Sequence, residues 1–276
     1  MNLSIKIILE NACLPRLETY IILGYILKKP KVWLIAHQET VLSTEQIREY
    51  NSVYQKRLKG IPIAYLIGYR EFMNYTFHVN SNVLIPRPET EILVKKSLDI
   101  LNKIEIPKVV DLGTGSGIIA ISIALSRSDA FVSGSDINSY ALTVAKNNAK
   151  RLGVNLRLLK GNWFTVFKKK EKFDLIVSNP PYVSRLDPHL EQGDLRFEPR
   201  DALTDNADGL SHIRCIIFNA RFYLKPGGCL WMEHGWNQSK ILRNLYKKYG
   251  YNNISSECDL SGIERISGGS FEGFEY

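Results

Sequence analysis

The N-terminal part of the chain shows a helical spacing of hydrophobic residues. Between Leu17 and Leu27, apolar side chains recur every three or four positions, which places them on one side of a helix. Ser43 followed by Gln46 forms a capping-box pattern, which predicts a helix that runs to about Leu58. Because prolines separate these apolar segments, we expect a small helical domain over residues 1–71.

A segment with a different pattern follows. Residues 72–85 alternate apolar and polar positions, and Asn80-Ser-Asn82 is typical of a turn. The sequence therefore predicts a β-hairpin whose turn lies near Asn80 to Asn82. We expect this hairpin to form a linker over residues 72–88.

From residue 89 onward, helical and strand patterns alternate. Strands are predicted at 108–112, 131–136, 155–159, 173–178 and 228–233, and helices at 89–102, 117–127, 139–152, 209–223 and 237–249. Two further strands, 252–260 and 263–271, close the chain, although the sequence 267–270 (Ser-Gly-Gly-Ser) is looser than a usual strand end. This order predicts an α/β domain over residues 89–276, with a doubly wound sheet and helices on both faces.

Composition narrows the class of protein but does not identify a partner. The chain has 276 residues, of which 45% are hydrophobic and 23% charged, as in ordinary globular proteins. Its net charge of +8 is compatible with an acidic or nucleic-acid partner without discriminating between them. The four cysteines and five histidines form no metal-binding pattern, so we expect reduced thiols and no metal site. Since the apolar runs are too short to span a membrane and no signal peptide is visible, the sequence predicts a cytoplasmic protein.

A glycine-rich turn follows the first predicted strand of the α/β domain. It consists of Gly113, Thr114, Gly115, Ser116 and Gly117. Alternating glycines permit a sharp turn and let a ligand approach the backbone amides at a helix N-terminus. A dinucleotide fingerprint would need glycine at position 118, where this chain has isoleucine. The spacing therefore favours a nucleoside ligand without pyrophosphate, and a tight structural turn is the alternative.

Two later strand ends carry candidate contacts to the same ligand. Asp136 ends the second strand of the domain, where a carboxylate can accept both hydroxyls of a ribose. The same side chain could instead cap the helix that follows. Trp163 comes after the third strand, where its ring can stack on an adenine or simply fill the core.

The fourth strand ends in Asn179, Pro180, Pro181 and Tyr182. An amide or exocyclic amine nitrogen is a poor nucleophile because its lone pair is delocalised. The Asn179 Oδ1 and the Pro180 carbonyl can accept its two N–H hydrogens, and successive prolines keep these acceptors at a fixed spacing. Tyr182 can stack on the planar group. This segment therefore predicts a site that holds an NH2 group and directs its lone pair at a methyl donor.

Together, the glycine turn and the Asn-Pro-Pro-Tyr segment resemble the amino-methyltransferases of the class I fold. Further segments make the chain similar, from end to end, to the protein-(glutamine-N5) methyltransferases of peptide chain release factors; these segments are Ile85-Pro-Arg-Pro-Glu-Thr-Glu91, 161–164, Arg196-Phe-Glu-Pro199, Glu233-His-Gly-Trp236 and Glu264-Arg-Ile266. The resemblance implies a Rossmann-like class I methyltransferase fold and S-adenosyl-L-methionine as cofactor. It also implies, as substrate, the glutamine of a Gly-Gly-Gln loop used in translation termination.

The resemblance also assigns roles to residues. It implies that the cofactor is bound by Gly113, Thr114, Gly115, Ser116, Gly117, Asp136, Trp163 and Asn179. It implies that Asn179, Pro180, Pro181 and Tyr182 hold the glutamine side chain, with Asn179, Pro180 and Tyr182 catalytic. The helical domain over residues 1–71 would then dock the release factor, and we expect a monomer without stable nucleic acid.

Other functions stay open from the residues alone. The same chemistry would suit a glutamine of a ribosomal protein or the N6 of adenine in nucleic acid. A protein of a different class, a non-catalytic nucleic-acid-binding protein with a nucleoside pocket, is also compatible with the basic charge. The presence of Asn179 argues against this non-catalytic function, because a protein without activity does not need the side chain that aligns the methyl acceptor.

Three further features lie near these motifs. Arg87 can reach a ligand carboxylate or substrate backbone, or pair with Glu89 or Glu91 on the surface. Glu233 and His234 end the fifth strand, and we expect them to support the site residues without contacting the ligands themselves. Residues 183–206 show little regular pattern, so we expect a loop that becomes ordered when substrate binds.

Overall fold

A computed structural model describes residues 3–274. The chain divides into two compact units, the first ending at Tyr69 and the second beginning at Arg70. Each unit has a hydrophobic core of its own. Among the described residues, no helix is long and apolar enough to cross a lipid bilayer.

The first unit is helical. Within residues 3–69 its helices are α1 (Ile5–Asn11), α2 (Arg16–Leu27), α3 (Lys31–Ala36), α4 (Thr44–Leu58) and α5 (Ile63–Ile67). The predicted capping box is confirmed, since the Gln46 amide donates to the Ser43 hydroxyl at 3.2 Å and the Ser43 amide to the Gln46 side chain at 2.9 Å. On α2 the core takes Tyr20, Ile22 and Leu23, while Leu17 is 57% exposed because it lies in the first turn.

The predicted hairpin exists, but its position is corrected. Strands β1 (Tyr69–Phe72) and β2 (Tyr75–His78) pair around a turn at Met73 and Asn74, which have φ angles of 49° and 63°. Such left-handed values at both central residues suit the two-residue turn that matches strand twist. Residues 80–82 also turn, because the Asn82 amide donates to the Asn80 side chain, but this turn follows β2. The linker predicted over 72–88 is therefore a hairpin over 69–78 followed by irregular chain.

A seven-stranded sheet forms the centre of the second unit. Its strands and their flanking helices are α6 (Thr90–Leu101), β3 (Lys108–Leu112), α7 (Ile118–Ser126), β4 (Phe131–Asp136), α8 (Ser139–Arg151), β5 (Arg157–Lys160), β6 (Phe173–Ser178), α9 (Arg200–Leu203), α10 (Ser211–Ala220), β7 (Leu224–Glu233), α11 (Ser239–Lys248), β8 (Asn252–Cys258) and β9 (Glu264–Phe271). The spatial order is β5-β4-β3-β6-β7-β9-β8. The first five strands pair in parallel, and β9 is antiparallel to both β7 and β8.

Side chains of the central strands alternate between two cores. Neighbouring residues point to opposite faces in three strands: Val109 and Val110, Leu175 and Ile176, and Trp231 and Leu230. Helices α6 and α7 cover one face, and α10 and α11 cover the other. The predicted doubly wound α/β fold is therefore confirmed, and the carboxyl ends of β3, β4 and β6 meet at one edge.

The glycines in the last strand are a packing requirement. Residues 267–270 lie inside β9 and are buried, so the expectation of a loose strand end is wrong. A side chain at Gly268 would lie 2.3 Å from the Trp231 ring, and one at Gly269 would lie 2.8 Å from the Asn252 carbonyl. Glycine is therefore required at position 268 because the Trp231 ring occupies the space, and at position 269 because the backbone of β8 does. This packing holds β7, which carries Glu233 at its end.

Candidate active site

The glycine turn after β3 has the geometry that the sequence predicts. Gly113, Gly115 and Gly117 have φ angles of 71°, 56° and 85°, values that favour glycine. The Gly113 amide donates to the Ser135 carbonyl at 2.8 Å, which joins the turn to β4. A side chain added at Gly115 would project into open space, whereas one at Gly117 would lie 2.9 Å from Ile121. The turn is therefore open at its centre and tightly packed at its end.

Asp111 holds this turn through a hydrogen bond, a role that sequence analysis did not assign. Its Oδ2 accepts from the Thr114 hydroxyl at 2.6 Å. The side chain is fully buried, and burial raises the pKa of the Asp111 carboxyl to about 7. Its position in the sequence, within β3 and two residues before Gly113, was the available signal.

Asp136 sits at the end of β4 and faces the same space. One carboxylate oxygen accepts from the Gly115 amide at 2.9 Å and the other from the Asn138 amide at 2.8 Å. Burial raises the pKa of Asp136, and these backbone N–H groups oppose the rise. Helix α8 is capped by Asn138, whose side chain accepts from the Tyr140 amide, so the helix-cap alternative for Asp136 is not what the structure shows. Each Asp136 oxygen keeps a lone pair that a hydroxyl can use.

If Asp136 accepts the hydroxyls of a ribose, as the sequence predicts, its replacement by alanine should weaken ligand binding by about tenfold or more. Each charge-assisted hydrogen bond to a ribose hydroxyl contributes about 1.5–3 kcal/mol, and 1.4 kcal/mol is tenfold in affinity. Calorimetric titration with S-adenosyl-L-methionine, the ligand that the family resemblance implies, measures the change, and the melting temperature shows whether the variant is folded. A folded Asp136→Ala variant with unchanged affinity would exclude the ribose role.

A cavity of about 810 Å³ opens at this edge of the sheet. It brings together eight of the predicted site residues: Gly113, Thr114, Gly115, Ser116, Asp136, Trp163, Asn179 and Pro181. The other three are placed differently. Gly117 packs against α7 and α8, Pro180 is buried, and Tyr182 bonds to Glu233.

Trp163 forms part of the cavity wall. Its backbone has a φ of 45°, and its ring lies against Gly113, where an added side chain would come within 3.2 Å. The ring also meets His212 edge to face, with centroids 5.2 Å apart. His212 borders the cavity as well and was not identified from the sequence. Burial lowers the pKa of His212, which favours its neutral form.

The Asn179 side chain is part of a buried hydrogen-bond network. Its Nδ2 donates to the Thr90 hydroxyl at 3.2 Å, and Thr90 donates to Glu233 Oε2 at 2.7 Å. The Tyr182 hydroxyl donates to the other oxygen of Glu233 at 2.9 Å. Thr90 lies in the quoted segment 85–91, but no local pattern marked it. One carboxylate thus connects both ends of the Asn-Pro-Pro-Tyr segment.

Burial shifts the pKa values of the ionisable groups in this network. Burial raises the pKa of Glu233, while the hydrogen bonds from Thr90 and Tyr182 oppose the rise. Burial and the neighbouring Glu233 raise the pKa of the Tyr182 hydroxyl well above its usual range, so it stays protonated. His234 is also buried, but it bonds to the Gly235 carbonyl and to Ser267. In this arrangement Glu233 contacts the site residues directly, and His234 supports the neighbouring strand.

Arg87 pairs with a residue that sequence analysis did not propose. Its guanidinium donates to Glu198, and the Ile85 amide donates to the other oxygen of that buried carboxylate at 2.9 Å. Pairing with Glu89 or Glu91 is therefore corrected to pairing with Glu198. The contact ties the chain before α6 to the segment 183–206, and Arg87 still borders the cavity.

The segment 183–206 is more regular than expected. It contains two 3-10 helices, Pro188–Glu191 and Leu195–Phe197, followed by α9, and a bridge between Val183 and Thr204 joins its ends. The expectation of an irregular loop is therefore wrong, because Glu198 and this bridge hold the segment in place. Ordering upon substrate binding stays a prediction.

Comparison with known proteins identifies both units. Residues 107–268 match a family model described as a methyltransferase domain, and residues 5–68 match one described as the PrmC N-terminal domain. A methyltransferase structure from Pyrococcus furiosus is 18% identical, covers 82% of this chain and 98% of its own, and has a TM-score of 0.53. That likeness shows the fold.

Relatives of higher identity match nearly the whole chain. A release factor glutamine methyltransferase of Bordetella pertussis is 46% identical over 96% of this chain and 98% of its own length. One from Burkholderia pseudomallei is 43% identical over 96% of this chain and 95% of its own. The protein therefore belongs to the release factor glutamine methyltransferases, a family of S-adenosylmethionine-dependent enzymes.

Proposed function

We propose that this enzyme methylates the side-chain amide nitrogen of the glutamine in a Gly-Gly-Gln loop of a peptide chain release factor. The observation that carries the proposal is the position of Asn179, which lies at the carboxyl end of β6 and borders the same cavity as the glycine turn and Asp136. A carboxamide acceptor beside a nucleoside-type pocket suits transfer to a planar nitrogen. The names of the relatives support the choice of substrate.

The pocket residues fit S-adenosylmethionine. The cavity is large enough for a nucleoside with an amino-acid chain, and the open centre of the turn at Gly115 leaves room for a ligand beside the backbone. Asp136 would hold the ribose of the cofactor and Trp163 its adenine. Gly113, Thr114 and Ser116 would line the remainder of the cofactor. When bound, the cofactor supplies an electrophilic methyl group.

The protein's own contribution is to hold and orient the substrate amide. The Asn179 Oδ1 accepts one N–H of the glutamine and the Pro180 carbonyl accepts the other, which favours a pyramidal nitrogen as the new bond forms. Pro181 keeps the segment stiff. The Tyr182 ring would stack on the planar amide beside the cavity, and its hydroxyl is held by Glu233. The surplus proton on the methylated nitrogen leaves to water.

The first unit would supply affinity for the substrate protein. One glutamine side chain gives too few contacts to offset the cost of association. The unit has its own core and exposes several large apolar side chains, including Val32 at 77% and Leu17 at 57%. Apolar side chains that are exposed in the free protein contribute favourable free energy when a partner covers them. We assign docking of the release factor to residues 1–71, with the enzyme acting as a monomer and without stable nucleic acid.

The proposal is tested with labelled cofactor and three acceptors. These are a full-length release factor, the same factor with glutamine replaced by glutamate, and a nucleic-acid control. We expect label on the first acceptor alone, with a mass increase of one methyl group mapped to the glutamine. The carboxylate of the glutamate variant offers no N–H for Asn179 to hold, so it should stay unlabelled.

Other patterns of label would contradict this assignment. Equal label on the glutamate variant would place the methyl group elsewhere on the factor. Label on nucleic acid alone would favour adenine as the acceptor. Label on a purified ribosomal protein in place of the release factor would keep the chemistry but change the substrate.

A further inference from the structure

The side chain of asparagine has two ends of similar shape but opposite hydrogen-bonding character. The oxygen of Asn179 accepts hydrogen bonds and its nitrogen donates them. Only the oxygen can hold a substrate amide nitrogen through that nitrogen's own N–H groups. If the carboxamide rotated by half a turn, it would present two N–H donors to the substrate NH2. The activity proposed above therefore requires one of two possible orientations, and cavity shape alone does not select it.

The surroundings of Asn179 provide that selection. The Thr90 hydroxyl has one hydrogen, and this hydrogen is donated to Glu233 at 2.7 Å. Towards Asn179, Thr90 can then only accept, and it does so from Nδ2 at 3.2 Å. The Glu233 carboxylate also interacts with the Asn179 side chain, and a carboxylate attracts N–H and repels C=O. Both neighbours therefore favour nitrogen at the buried end.

Burial makes this preference strong. Thr90 is 0% exposed and Glu233 is 2% exposed, so water does not compete for these hydrogen bonds. The second oxygen of Glu233 is engaged by the Tyr182 hydroxyl at 2.9 Å, which keeps the carboxylate from turning away. A buried hydrogen bond to a charged acceptor contributes more than one in water.

We infer that Thr90 and Glu233 are positioning residues that set the orientation of the Asn179 carboxamide, so that Oδ1 faces the substrate nitrogen. The inference rests on the proposed function, because the orientation matters only if an NH2 group is the acceptor. Thr90 borders the same cavity but is fully buried, and its hydroxyl acts on the substrate through Asn179. The same carboxylate fixes Tyr182, so one buried group orders the acceptor and the stacking ring together.

A double-mutant cycle tests this inference in the full-length enzyme. Thr90→Val keeps the shape of the side chain and removes the hydroxyl, so Nδ2 loses its partner and Glu233 loses a donor. We expect kcat on release factor to fall by about tenfold, with the affinity for S-adenosylmethionine unchanged within about twofold. Thr90→Ser retains the hydroxyl and should restore most of the lost turnover. In an Asn179→Ala background, Thr90→Val should cause no further loss, because no carboxamide is left to orient.

Ser97→Ala is the matched control. Ser97 lies on the same helix, is equally buried, and donates to the Leu93 carbonyl of that helix. Its loss should leave kcat unchanged. If Thr90→Val does not fold, Thr90→Ala also removes the hydroxyl without touching Glu233 or Tyr182, and it enters the same cycle with the same expected non-additivity.

The outcomes separate the inference from the proposed function. A wild-type enzyme that labels no release factor would overturn the proposed function. If wild type labels the factor, unchanged kcat in Thr90→Val would overturn the inference alone. Additive losses in the cycle, or a parallel loss of cofactor affinity, would also overturn it, because Thr90 would then act on the general structure of the site.

Discussion

Asn179→Ala is expected to lower turnover on a release factor by about a hundredfold or more while the fold stays intact. The variant removes the acceptor that holds the substrate amide, and loss of one preorganised hydrogen-bonding group at a reacting centre has an effect of that order. Asn179 borders the cavity, and its side chain donates a hydrogen bond to the buried Thr90. Cofactor affinity should therefore change only modestly. Single-turnover kinetics at saturating cofactor measure the methyl-transfer step itself.

A matched asparagine controls for general effects of the substitution. Asn219 is half-buried on α10, far along the chain from the site motifs, and donates to the Cys215 carbonyl of its own helix, so Asn219→Ala should leave turnover unchanged. The Asn179 variant must also retain the melting temperature of the wild type. Near-normal turnover in Asn179→Ala would mean that another group orients the nitrogen, and the assignment of this residue would then fail.

Local sequence patterns were sufficient for the elements that form the cavity. The glycine turn, Asp136 at the end of β4 and Asn179 at the end of β6 each lie next to a strand that apolar residues mark clearly. Parallel strands bring their carboxyl ends to one edge, so the alternation of helices and strands was enough to predict that these residues meet. The capping box of α4 was predictable for the same reason, since both partners lie within one turn.

Contacts between segments that are distant in the sequence could not be predicted from local patterns. Arg87 and Glu198 are 111 positions apart, and Thr90 and Glu233 are 143 apart. Nothing in the spacing of these residues links them, because only the three-dimensional fold brings them together. Sequence analysis placed Glu233 behind the site, but it had no means to find Thr90 as the group between Glu233 and Asn179.

The hairpin shows a different limit. The sequence predicts the hairpin turn at positions 80 to 82, where two asparagines favour a turn. The actual turn places methionine in a left-handed conformation, which local preference disfavours. The burial of Phe72 and Phe77 at opposite ends of this turn, with ring centroids 6.1 Å apart, compensates for that cost. Tertiary packing therefore overrode the local signal.

Removal of residues 1–69 should lower kcat/KM for whole release factor by about a hundredfold, while a short Gly-Gly-Gln peptide is affected by less than about threefold. A hundredfold corresponds to about 2.7 kcal/mol, which one or two well-packed contact residues provide in a protein interface. The peptide lacks the surfaces that the first unit would contact, so it gains nothing from that unit. Residues 70–276 contain both cores of the α/β unit and the cavity, and cofactor titration of the shortened chain checks that the pocket is intact.

Full-length variants make this test independent of the truncation. Leu17, Val32 and Ile35 are large apolar residues that are 57%, 77% and 49% exposed, so replacing all three by serine should not disturb the core. We expect the triple variant to lose activity on the whole factor and to keep it on the peptide, because less apolar surface is buried on docking. Asp136→Ala is the opposite control: at low cofactor concentration it should lower both activities in parallel. Equal losses on factor and peptide after removal of residues 1–69 would mean that this unit supports the catalytic domain and does not dock the substrate.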